Sequence, residues 1–290
     1  MIRKNLKRRR GESILQKILV GLGLTILSLY VLLPLVNMLF ASIKPLEEIQ
    51  ITGKGLIPSR FDFGTYVRMW QTVALLKYIK NSFIIIGIST FLSVLVSIFS
   101  GYALQRFVFK GKRLFGNFLI FAQMFPLFMI LLPMYLLFVL IQQITPLRLV
   151  GTYTGVIITY LTFALPFSIW LMKGFFDTIP RELEEAAFID GCGYFGTIFR
   201  IIVPVSIPGV IAVGTYSFLL GWQEVLFASV LTNEDTRTVA VGLANFSTTT
   251  STYWNELMAA SVTVTIPLVV IFLLMQKYLI AGLTAGSVKG

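Results

Sequence analysis

Runs of about 20 apolar residues recur along the chain between short polar stretches, and that is the length a helix needs to cross a bilayer. Six stand out: Leu15 to Phe40, Ser82 to Leu104, Phe118 to Ile141, Gly155 to Met172, Val210 to Leu231 and Ala259 to Ala281. The pattern predicts an all-α, polytopic membrane protein with six transmembrane helices. A basic N-terminal segment (1–14) precedes the membrane domain (15–281), and a short C-terminal tail (282–290) follows it. The first run exceeds the apolar core of a signal peptide and has no small-residue cleavage pattern after it, so it is read as a span. Pro126, Pro133 and Pro166 fall inside predicted spans, where a lost backbone hydrogen bond kinks a helix.

Composition sharpens this picture. The 290 residues have a mean hydropathy of +0.84 and are 13% charged, against roughly 25% in a soluble domain. The net charge of +11 raises the question of nucleic acid, and its distribution answers it. With the N-terminus inside, the cytoplasmic ends and loops hold the run from Arg3 to Arg10, then Arg106, Lys110, Lys112 and Arg113, then Lys173, Arg181 and Arg200. The two short outer loops hold only Arg148 and Arg237. Positive-inside topology explains the basicity, predicts both termini in the cytoplasm, and leaves no role for nucleic acid.

Several chemistries are excluded. The chain has no His, which removes Ser-His and Cys-His dyads and His-based zinc sites. Its single cysteine, Cys192, has no basic cluster beside it and reads as a packing residue. No G-x-x-x-x-G-K-[ST] loop occurs, so if ATP drives this protein another chain binds it. No catalytic residue and no metal ligand set is assigned.

Two outer loops are too polar or too long to be mere connectors. The first (Ile43 to Lys80) contains an amphipathic stretch around Tyr66 to Trp70, consistent with a helix lying at the interface. The last (Thr232 to Leu257) mixes Asn233, Glu234 and Asp235 with a Ser/Thr tract and the pair Tyr253-Trp254, and reads equally as a recognition loop or a solvated spacer.

The most informative segment is cytoplasmic, from 178 to 202. Thr178 is placed as an N-cap, Pro180 suits a first helical turn, and Glu182, Glu184 and Glu185 sit where the helix dipole favours negative charge. The helix is expected to end near Asp190, because Gly191 and Gly193 bracket Cys192. A second helical pattern follows through Phe195, Ile198, Phe199 and Ile202. Two short helices around a glycine turn also describe a DNA-reading motif, but the excess of acids over bases here has the wrong sign for phosphate. The small pair Ala186-Ala187, flanked by Leu183 and Phe188, instead suits close approach of a protein partner.

These residues carry a resemblance. Glu185-Ala186-Ala187, three residues, Gly191, nine residues, Ile201, one residue, Val203-Pro204 resembles the E-A-A, G, I-x-L-P signature of the permease subunits of binding-protein-dependent ABC importers, with Val203 replacing the usual Leu. Leu165-Pro166-Phe167, Ile169-Trp170, Gly174-Phe175-Phe176, Trp222-Gln223-Glu224 and the closing segment from Gly282 resemble the maltose-type carbohydrate branch of that family.

The resemblance implies a multi-pass subunit of a bacterial or archaeal cytoplasmic (inner) membrane that imports a sugar. Its partners would be a second permease, a different chain, two ATP-binding subunits carrying ATP and Mg, and an external solute-binding protein. By the same resemblance, Glu185, Ala186, Ala187, Asp190 and Gly191, with Leu183 and Phe188 as anchors, would dock on the ATPase. The tail residues Gly286, Ser287, Val288, Lys289 and Gly290 would reach toward it.

For the substrate path, Glu224 is the one carboxylate in the six apolar runs, and Gln123, Tyr160 and Tyr216 are milder polar candidates. Sugars suit such sites, pairing hydroxyls with amides and hydroxyls. The rival readings are an importer for a non-sugar solute, a secondary transporter, which needs intramembrane ion ligands and inverted repeats, and a membrane enzyme, disfavoured by the missing His.

Overall fold

The computed structural model describes residues 14–50, 55–248 and 251–285. Helices dominate and, among the described residues, no β-strand occurs beyond an isolated bridge between Ser247 and Thr252. The long helices are α1 (Ile14–Ser42), α4 (Leu75–Arg106), α5 (Lys112–Met124), α6 (Leu127–Ile144), α7 (Tyr153–Asp177), α11 (Ile207–Gln223) and α14 (Trp254–Ala285). Short helices lie between them: α2 (Leu46–Gln50), α3 (Thr65–Thr72), α8 (Glu182–Ile189), α9 (Tyr194–Thr197), α10 (Val203–Val205), α12 (Leu226–Leu231) and α13 (Val239–Gly242). Among the described residues five helices are long and apolar enough to cross a membrane, and a sixth span results if the segment from Tyr194 to Val205 and α11, bent at 82°, count as one.

The described chain divides into two compact units, residues up to 71 with 246–262, and residues 72–245 with 263 onward. In the first, the segment after α1 is folded rather than loose. Ser42 Oγ and Tyr66 Oη share a hydrogen bond of 2.8 Å, Lys44 Nζ donates to Gly55 O, and the Glu48 carboxylate accepts from Ser59 N at 3.0 Å. The amphipathic stretch at 66–70 is helical, as α3, and its Arg68 reaches Asp62 at 2.7 Å. That guanidinium hydrogen bond holds the Asp62 carboxyl below its ordinary value of 3.8. A carboxyl depressed on folding contributes stability that is present above 3.8 and lost as the pH falls through the folded value. Arg68 is nearly half exposed, so solvent screens the pair to under about 1 kcal/mol. Asp62→Asn is therefore expected to lose less stability than the parent on acidification from about pH 5 to about pH 3. Parallel denaturant titrations of the two proteins check this, and identical losses would remove the pair's contribution.

The second unit is built on α4, α7 and α11. In lipid, apolar packing does not distinguish inside from outside, so small and hydroxyl-bearing residues mark the helix interface. In α4 they form one buried stripe, Ser82, Ser89, Ser93, Ser97 and Gly101, while Phe83, Ile88, Phe91 and Val96 face outward. At the centre, Ser93, Ser168 and Ser217 from the three helices meet, with oxygen separations of 2.9 to 3.2 Å. Gly101 sets the approach of α4 to α7, since a Cβ there would lie 3.0 Å from Lys173 N. Near one end, Tyr102, Met172, Phe176, Ile198, Ile202 and Val213 belong to one apolar cluster.

Two predicted spans need correction. The third, 118–141, is broken, with α5 ending at Met124 and α6 starting at Leu127, and Phe125 and Pro126 extended between them. A residue before proline is pushed out of the helical region, and Pro126 offers no N–H to continue the ladder. Pro133, Pro166 and also Pro267 stay inside their helices. The fifth, 210–231, stops at Gln223; Glu224 is extended, and α12 is a separate helix. The basic N-terminal segment up to residue 13 lies outside the described residues.

Candidate functional site

Between α7 and α8 the expected capping differs. Thr178 closes α7 by donating from Oγ1 to Phe175 O at 2.7 Å, and α8 starts only at Glu182 after Arg181. The helix was expected earlier because Thr-x-Pro reads as a cap followed by a first turn, whereas α7 runs on to Asp177 and uses the threonine at its own end. The acids Glu182, Glu184 and Glu185 do fall in the first turn of α8.

The far end of α8 is as the glycine predicts. Gly191 has φ +83°, Cys192 N donates to Ala187 O at 2.9 Å, and Gly191 N donates to Phe188 O at 3.1 Å. This paired pattern closes a helix on a left-handed residue, which only glycine adopts at little cost. Asp190 is the C-cap, exposed at the turn. The following segment is α9, a π-helical turn from Ile198 to Ile202, and α10. Pro204 accounts for the wider turn, because a proline clashes with the carbonyl four residues before it.

What anchors this hairpin was not legible in its motif. Glu184 is buried, and its carboxylate accepts from Tyr102 Oη at 2.9 Å and from Arg106 Nε at 2.5 Å, both on α4. Arg106 also donates to Ile179 O at 2.9 Å. The side chains of Arg106 and Glu184 are 7% and 8% exposed, so the pair is desolvated and a missing partner would leave a buried charge. Aromatic edges extend the contact: Tyr194 packs on Phe188 and Phe107, and Phe99 on Phe195 and Phe199.

With Glu184 and Ala187 turned inward, α8 presents its other face. Leu183, Glu185, Ala186, Phe188 and Asp190 are exposed, as is Ile189, at 86%. Ala187, placed with Ala186 on a docking face, is 2% exposed and packs internally, so the small pair splits between two surfaces. The tail residues Gly286 to Gly290 lie outside the described residues.

The pathway candidates separate too. Gln123 and Tyr216 line one cavity of 340 Å³ with Thr162, Phe163 and Pro166. Tyr216 and Phe163 also line an adjoining cavity of 610 Å³ that includes Gln223 and Glu224. Phe167 packs on Tyr216 with ring centroids 4.5 Å apart. Tyr160 lines neither; it is 1% exposed and packs against Gly221, and its hydroxyl has no hydrogen-bond partner among the described residues. Glu224 does not reach for the surface by extension. Its carboxylate accepts from Phe227 N at 2.8 Å and Ala228 N at 2.9 Å, capping α12 where a helix N-terminus favours an anion. Gln223, the middle residue of Trp222-Gln223-Glu224, reaches the cavity because it ends α11 next to the break that Glu224 caps.

The loop after α12 is also no loose spacer. Lys77 Nζ meets Asp235 at 2.7 Å, Asn81 Nδ2 donates to Asp235 O and Arg237 O, and Val239 N donates to Ser82 Oγ.

The described chain is thus an all-helical, multi-span protein with a short helical hairpin pinned to the end of its core. The chain matches the binding-protein-dependent transport system inner membrane component family over residues 93–284, and it belongs to that family. It is 35% identical to the trehalose/maltose transport system permease protein of Thermococcus litoralis, over 96% of this chain and 99% of that one. It is 33% identical to the trehalose transport system permease protein of Mycobacterium tuberculosis, over 90% and 93% of the two chains. Among solved structures, a chain of a bacterial ABC transporter involved in the import of the acidic polysaccharide alginate aligns with a TM-score of 0.79 at 21% identity, covering 93% of this chain and 99% of that one.

Proposed function

We propose that this chain is the membrane-spanning subunit of an ATP-driven importer that moves a carbohydrate into the cytoplasm, and that α8 is where the motor acts. The observation that carries the coupling reading is the two-sidedness of α8: Glu184 locks it to α4 from within and Phe188 rests one edge on Tyr194, while Leu183, Glu185, Ala186 and Ile189 face outward. A helix so mounted transmits displacement, because the ion pair and the aromatic edges tie it to α4 and the apolar cluster at its base joins α4, α7 and α11. ATP and Mg belong to two partner ATPases, whose binding and hydrolysis bias the equilibrium between outward-open and inward-open states. A second, different permease and an external solute-binding protein complete the assembly, both termini are cytoplasmic, and the tail from Gly286 to Gly290 reaches toward the ATPases.

For the cargo, sugar-handling relatives support a carbohydrate, and the cavity lining agrees with it. Tyr216, Gln123, Gln223 and Glu224 offer hydroxyl, amide and carboxylate groups among aromatic rings, and no Lys or Arg lines either cavity. That lining favours a neutral saccharide over an acidic one.

Tagging the chain, extracting the membrane gently and identifying the co-purifying proteins by mass spectrometry tests the assembly. Recovery of a P-loop ATPase and a second permease is expected; purification of the chain alone would sink the docking assignment. Gly191→Asp should leave the chain folded and inserted but lower uptake roughly tenfold, since a side chain at this φ costs about 1–2 kcal/mol and displaces the turn. Uptake at the parent rate with normal expression would remove the coupling role of the turn.

A further inference from the structure

At the end of the second unit that carries α8, a groove of 570 Å³ opens between the last turn of α4, the loop 107–111, the start of α5 and the later turns of α7. Leu104, Leu119 and Trp170 line its apolar part, and Lys112, Arg113 and Lys173 its polar part. The three cations line the same groove, with no carboxylate among its lining residues. No Asp or Glu occurs anywhere between Asp62 and Asp177, and none of the three forms an ion pair among the described residues. Lys112 Nζ donates to Phe107 O at 3.0 Å. Lys112 and Arg113 also stand in the first turn of α5, the end of a helix dipole that disfavours cations and favours an anion.

The surroundings fix what kind of anion suits the place. Trp170 is half exposed beside the cations, as tryptophans are at the level of lipid headgroups, and Leu114 is exposed on the same helix turn. A free solute anion would use the charges and leave the apolar wall idle. A molecule with a phosphate at one end and a hydrocarbon chain at the other uses both, as basic pockets at the cytoplasmic side of membrane helices do.

We infer that this groove holds an anionic phospholipid, its phosphate between Lys112, Arg113 and Lys173 and an acyl chain along Leu119 and Trp170. This assignment is independent of the importer reading and stands on the groove alone.

The full-length chain is reconstituted with Trp70, Trp222 and Trp254 replaced by Phe, so that Trp170 alone reports. Brominated phosphatidylglycerol or brominated phosphatidylcholine is titrated into vesicles of unbrominated phosphatidylcholine, and quenching is followed. Phosphatidylglycerol should bind about tenfold more tightly, two to three basic contacts each contributing at the surface. The preference should vanish in the Lys112→Gln, Arg113→Gln, Lys173→Gln variant and persist in millimolar inorganic phosphate. Equal quenching by both lipids in the parent chain overturns the proposal without any variant, leaving the cations to an acidic protein segment or to water. A preference abolished by phosphate overturns it in favour of a soluble anion, and one that survives the triple variant overturns the assignment of the groove.

Discussion

Glu184→Ala is expected to destabilise the chain by about 3–5 kcal/mol, because it strands the Arg106 guanidinium, 7% exposed, without its counter-charge. Tyr102 loses its acceptor in the same step. Glu184→Gln should cost less, since an amide oxygen still accepts one of the two hydrogen bonds although the charge is gone. Transport should fall in both variants, and further in the alanine variant, because α8 loses its hold on α4 even when the chain remains inserted. Thermal unfolding of the purified protein gives the stability order, and uptake normalised to the inserted amount gives the coupling. If both variants unfold with the parent, the pair is not what anchors α8. Restoration of stability in a Glu184→Ala, Arg106→Leu double variant, with uptake still impaired, would separate the cost of the stranded charge from the mechanical role of the link.

The second large effect is expected at Gly209, in the first turn of α11. A Cβ built there lies 2.5 Å from Cγ and 2.9 Å from Cβ of Phe175, atoms at the root of the ring that cannot swing away. Gly209→Val should therefore cost about 3 kcal/mol by overpacking. Phe175→Ala on the same background removes the ring atoms but keeps the Cβ, so it should recover part of the loss, a coupling that a double-mutant cycle measures directly. Additive losses in the cycle would mean that α11 yields to the new side chain and that the close approach is not enforced. The Gly174-Phe175-Phe176 motif acquires a physical content here: Phe176 is buried in the core on α7, and Phe175 is the surface against which α11 starts.

Much of the architecture was readable because lipid imposes a length and an apolar content on every crossing. Helix α8 and its termination were readable too, since acids at one end and a glycine at the other are local signals. What escaped is non-local or competitive. Pro126 is one of several prolines in apolar runs, and nothing in the run itself distinguishes the one that breaks a helix from Pro133 and Pro166, which do not. Thr178 had two helices to cap and closed the earlier one. Arg106 reads as a topology signal and Glu184 as a first-turn acid, and only their distance in space, 78 residues apart in sequence, makes them partners. Ala187 lies one position from Ala186 and so must point elsewhere on the helix, a consequence of 3.6 residues per turn that the triplet conceals. Glu224 drew attention as an intramembrane charge, yet its two backbone hydrogen bonds give it a local structural use at the edge of the cavity.

The bend of 82° at Ser206 gives the hairpin a lever. The segment from Tyr194 to Val205 extends roughly 18 Å at helical rise, so a rotation of about 10° at the joint carries its far end, where the Gly191 turn sits, by about 3 Å. Under the proposed coupling, a displacement at the exposed turn would reach the foot of α11, the helix that bears Tyr216 and Gln223, as a small rotation. On that reading the joint trades distance for torque, and stiffening it at Ser206 is expected to shorten the stroke without touching either end.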